Sequence, residues 1–169
     1  SVTIFTNDFP LMVVTSNSVK MPISGVVLTK ATVQGAPNAS STTIFFGGTE
    51  VYDTDNYHNN VDSATIYIPH GLGGTYFLAC NVVVESLNNA AFALQIFTGV
   101  GSFREQPSAS CATVEPDLFQ AIEGFSCRLT AVKAMPAGDS AICKVAHGGG
   151  GSRPILAVGA RFSAIRLGP

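Results

Sequence analysis

Charge is scarce in this 169-residue sequence. Nine Lys and Arg stand against eleven Asp and Glu, together 12% of the chain, where a soluble domain usually carries about a quarter. A surface so poor in charge needs other cover. Ala, Gly, Ser, Thr and Asn supply part of it, and a partner subunit is expected to supply the rest. No run of basic residues occurs, so no phosphate-tracking surface and no nucleic-acid partner are expected. No apolar stretch reaches the roughly 18 residues of a membrane span, and no membrane partner is expected. The first ten residues lack the basic and then apolar blocks of a secretory leader. A start at Ser fits a mature chain whose initiator Met was trimmed, and equally a cleaved signal or an excised fragment.

Helical patterning is almost absent too. Only Pro116–Glu123 has a helical period, for about two turns. Cys80, Cys111, Cys127 and Cys143 include no Cys-x-x-Cys pair. With Cys80 on the apolar face of a strand, buried free thiols are the expected reading, ahead of one or two disulfides. Zinc is not expected at such spacings.

What remains is β pattern. Ala64, Ile66 and Ile68 alternate onto one face, as do Tyr76, Leu78, Cys80, Val82 and Val84, the period of half-buried strands. Thr75–Glu85 followed by Ala91–Thr98 reads as a hairpin turned at Asn88-Asn89, with Phe92, Leu94 and Ile96 inward. Further strands are expected at Gly25–Val33, Thr42–Phe46, Ser108–Val114, Phe125–Lys133, Ser140–Ala146 and Ile155–Leu167. Many short strands punctuated by Gly, Pro and Asn argue for an all-β sandwich or jelly roll of about ten antiparallel strands. Residues 1–24, where Pro10 and Pro22 flank Leu11–Thr15, read as an extended N-terminal arm. Residues 25–169 form the jelly-roll domain.

The order of motifs resembles the tumour necrosis factor/complement C1q-like family. Ile66-Tyr67-Ile68-Pro69 precedes Gly74-Thr75-Tyr76-Phe77-Leu78. Ala137-Gly138-Asp139 then opens a strand, and Phe162-Ser163-Ala164-Ile165-Arg166-Leu167 closes the domain. The resemblance spans residues 25–167. His70–Gly73 makes a longer link than the family usually has, and no Gly-X-Y stalk repeat precedes the domain. The resemblance implies a homotrimer packed about a threefold axis, with Tyr76, Phe77, Phe162 and Ile165 as core or threefold contacts. Hidden apolar flanks would also account for the low charge.

Candidate chemistry is thin. His147-Gly148-Gly149-Gly150 is similar to an oxyanion loop, yet no Gly-x-Ser-x-Gly elbow accompanies it. Asp53, Asp55 and Asp62, with neighbouring Asn side chains, are oxygen-rich enough to be weak calcium candidates, although a solvated turn is the preferred reading. His58, His70 and His147 are expected on surface loops. No acid/base pair or activated nucleophile is present, so neither an enzyme nor a cofactor is expected.

The reading that follows from this resemblance is a non-enzymatic bacteriophage structural protein. It would be a trimeric capsid decoration or cement protein, made in the host cytoplasm and placed on the virion surface. Phe5, Phe9, Leu11 and Met12 of the arm would meet the major capsid protein or another virion protein. Alternatives are the receptor-binding head of a tail fibre or spike, meeting a host receptor through its loops, and a secreted C1q-like binding module.

Overall fold

The structure, a computed structural model, describes residues 2–6, 9–15, 18–20, 23–59, 61–85, 92–99, 108–111, 124–148 and 150–169. Side chains are described for 23–59, 61–84, 92–99, 126–148 and 150–169. The helix expected at Pro116–Glu123 lies outside the described residues.

Two antiparallel sheets pack face to face. The seven-stranded sheet is centred on β9 (Gly74–Glu85), the β-rich run that alternates most regularly in the sequence. On one side of β9 lies β12 (Gly124–Met135), paired along its whole length. On the other lie β14 (Arg153–Ile155) and β15 (Arg161–Gly168). Beyond β15 come β4 (Gly25–Thr29) and β7 (Glu50–Asp53), and β5 (Gln34–Ala36) borders β14. The five-stranded sheet runs β11 (Ser108–Cys111), β10 (Phe92–Thr98), β13 (Ser140–His147) and β6 (Ser41–Thr43), with β8 (Thr65–Tyr67) also on β13.

The core is where the alternation places it. Tyr76, Leu78, Cys80, Val82 and Val84 of β9 are buried, facing Phe92, Leu94 and Ile96 of β10 and Ala141, Cys143 and Val145 of β13. Phe46 and Phe162 meet with ring centroids 5.6 Å apart. Gly74 is required at the start of β9: a Cβ there would lie 2.1 Å from the Gly168 carbonyl oxygen.

Four expectations are corrected. β9 and β10 do not pair as a hairpin; they belong to different sheets, and β10 pairs with β11 and β13. Period-two alternation marks a buried face without saying which sheet owns it. The single strand expected over Ile155–Leu167 is two strands, interrupted by a turn at Val158-Gly159 where Gly159 has φ +80°. The cysteines are not free thiols: Cys80 and Cys143 form a disulfide joining the two sheets, with Cα atoms 6.5 Å apart, and Cys127 is disulfide-bonded as well. Two histidines are not on the surface. His147 ends β13, buried, with Nε2 2.7 Å from the Ala36 carbonyl oxygen and its ring stacked on Phe92. His58 is buried with Nδ1 2.7 Å from Glu50 Oε1.

The N-terminal segment folds back on itself. β1 (Val2–Thr6), β2 (Phe9–Thr15) and β3 (Ser18–Lys20) form a three-stranded antiparallel meander, hydrogen-bonded to neither sheet of the sandwich. Their register sets Val2, Val14 and Val19 in one row and Ile4 beside Met12 two positions along. The contacts of Phe5, Phe9, Leu11 and Met12 lie outside the described residues.

Candidate functional site

The four aromatic and aliphatic residues singled out in the sequence divide into two pairs. Tyr76 and Phe162 are fully buried in the core. Phe77, one residue beyond Tyr76, and Ile165, three beyond Phe162, are half-buried on the outward face of the seven-stranded sheet. Alternation makes the division, because adjacent strand residues point to opposite faces.

Strand register builds that outward face in rows. Val132 of β12, Phe77 of β9 and Ile165 of β15 are directly opposite one another. The next row is Thr130, Ala79, Ser163 and Val27, and the one after it Arg128, Asn81, Arg161 and Thr29. Val132 is 62% exposed and Leu167 59%, leaving an apolar strip on the outside of a sheet whose other face is already packed. Exposed apolar strips of this kind are suited to association with a partner. Asn81 is held in place: its amide donates to the Gly159 carbonyl at 2.7 Å and its oxygen accepts from Ser126 Oγ at 3.0 Å. Sequence reasoning did not single out Val132, Arg128 or Arg161. The alternation of β12, with Cys127 and Leu129 buried and Ser126, Arg128 and Thr130 exposed, was the signal available for them.

A polar network fastens the entry of the chain into the sandwich. Tyr52 donates its hydroxyl to the Ile23 carbonyl, Ser24 Oγ donates to Asp55 Oδ2 at 2.7 Å, and Arg166 N–H donates to the Ser24 carbonyl at 2.9 Å. Ser24 Oγ also meets the Tyr57 hydroxyl, which lies 3.2 Å from that of Tyr76. Burial, followed by the hydrogen bond with Tyr57, pushes the Tyr76 hydroxyl well above its ordinary pKa, so this phenol stays neutral. Residues 23–24 therefore enter the sandwich at an anchored point.

The calcium candidates serve the same loop. Asp53 accepts N–H bonds from Asp55, Tyr57 and His58, an arrangement that orders a turn. Partial burial pushes the Asp62 carboxyl up, but hydrogen bonds from Thr65, Tyr67 and Ala64 outweigh it and the group titrates below its ordinary value. Among the described residues no three His, Cys, Asp or Glu side chains gather as metal ligands. Lys30 is buried with Nζ on Gln34 Oε1 and the Phe45 carbonyl, each at 2.9 Å. Burial lowers its pKa.

No protein-family model matches the sequence, and no curated protein matches it. Solved structures do. Murine APRIL matches with a TM-score of 0.63 at 13% identity, over 86% of this chain and 99% of its own. The globular domain of zebrafish complement 1qA matches with 0.58 at 10% identity, over 86% and 98%. The chain is a TNF/C1q-like jelly roll. A third match, PRD1 vertex protein P5, has a TM-score of 0.57 at 10% identity and covers 99% of this chain and 82% of that one. In the TNF/C1q-like fold of this chain, β9, β12, β15 and β4 carry the outward face, and the Gly74–Leu78 and Phe162–Leu167 motifs fall on β9 and β15.

Proposed function

We propose that this chain is a non-enzymatic structural protein of a virion. It forms a homotrimer through the outward face of the seven-stranded sheet. It docks on the major capsid protein or another virion protein through its N-terminal meander, decorating and stabilising the shell. The observation that carries this reading is the extent of the structural matches. APRIL and the C1q domain leave out about one-seventh of the chain, a share the size of residues 1–24, whereas the vertex protein match takes in 99% of it. The apolar row Val2, Val14 and Val19 supports a docking role for that segment, and the Phe77 strip supports self-association.

The disulfide between the sheets adds a condition on where the protein matures. Bridges of this kind persist in oxidising surroundings and are rare in a reducing cytoplasm. A chain made in the host cytoplasm would close them after leaving it.

Deleting residues 1–22 tests the docking role. The strands removed pair only with each other, so the head is expected to keep its melting temperature and its native mass while losing binding to capsids assembled without this protein. Unchanged capsid occupancy by the truncated head would overturn the assignment. A receptor-binding head is the second reading, favoured by Val51 and Val61, which stand exposed on the segment around the Asp53 turn. Binding of the same truncated head to host cells would support it.

A further inference from the structure

Two cations on the outward face have no counter-charge paired with them among the described residues. Arg128 lies on β12 between buried Cys127 and Leu129, and Arg161 lies on β15 between buried Ala160 and Phe162. Both are opposite Asn81 of β9, so they share a row and a face about 10 Å apart, two strand spacings. Neither has a hydrogen-bond or ion-pair partner among the described residues. The three strands β9, β12 and β15 hold one acidic residue between them, Glu85, four positions and about 13 Å along β9 from Asn81.

We propose that the assembled protein holds a tetrahedral oxyanion of the phosphate class on its threefold axis, gripped by Arg128 and Arg161 of each copy. The inference rests on the trimeric reading above, because the arginine row is continuous with the Phe77–Ile165 strip that would form the interface. Three copies closing on that face bring six guanidinium groups to one level. Like charges facing each other away from bulk water repel strongly, and they require a counter-anion of more than one charge. Guanidinium forks match tetrahedral oxyanions in bidentate geometry. An oxyanion aligned on the axis also offers three equivalent oxygens to three equivalent subunits. Asn81, already bonded to Gly159 and Ser126, holds the floor between the two arginines.

Calorimetric titration of the full chain with inorganic phosphate, at ionic strength fixed with sodium chloride and with light scattering on the same sample, tests this. One phosphate bound per three chains is expected. Binding should weaken by at least about tenfold in Arg128→Ala and in Arg161→Ala, while Lys144→Ala, a cation stacked on Phe97 of the other sheet, leaves it unchanged. Sulfate should compete at the same stoichiometry. A trimer that takes up no phosphate would overturn the anion site and leave the trimeric reading standing. One phosphate per chain would overturn the axial position. A monomer by light scattering would overturn the trimeric reading and the anion site with it.

Discussion

Replacing Cys80 and Cys143 together by alanine is expected to destabilise the head by about 2–5 kcal/mol, read as a lower denaturant midpoint. The bridge closes a loop of 63 residues between β9 and β13. It therefore ties the two sheets directly across the core, and losing it returns conformational freedom to the unfolded chain. Both sulfur atoms belong to fully buried residues, so truncation also leaves a void that packing fills only in part. The same burial shields the bridge. Reductant alone should leave it intact, and reductant with denaturant should open it. A midpoint unchanged in the double variant would show that the sheets are held by packing alone.

The second large effect concerns the outward face. Phe77→Asp combined with Ile165→Asp should weaken self-association by at least about a thousandfold, since unpaired charges in an apolar contact cost several kcal/mol each. The protomer should keep its fold, because neither side chain belongs to the buried core. Tyr76→Asp or Phe162→Asp, on the same two strands but fully buried, should instead unfold it. Native mass and circular dichroism together distinguish the two outcomes. A trimer that survives both face substitutions would place the interface elsewhere.

How much of this was legible in the sequence depended on whether the information was local. The alternation of Tyr76 to Val84 announced both the strand and its buried face. The motif order from Ile66 to Leu167 announced the jelly roll. The partners of the two buried histidines could not be read: His147 meets the carbonyl of Ala36, 111 residues away, and Glu50 lies on an edge strand hidden in an Asp- and Asn-rich stretch. The disulfide escaped for the same reason, since Cys80 and Cys143 become neighbours only once two sheets are stacked. The crossing of the chain from β9 to the other sheet left no trace in a pattern that records burial alone. Arg128 and Arg161 lie far apart in the sequence, and only strand register puts them on either side of Asn81.

The central claim is that this TNF/C1q-like head associates in threes through its outward sheet face. The most direct measurement is the native mass of the full chain in phosphate buffer, by light scattering on a sizing column. Three protomers per particle is the predicted result, falling to one in the Phe77→Asp/Ile165→Asp variant. A monomer across the concentration range for the unmodified chain would contradict the account.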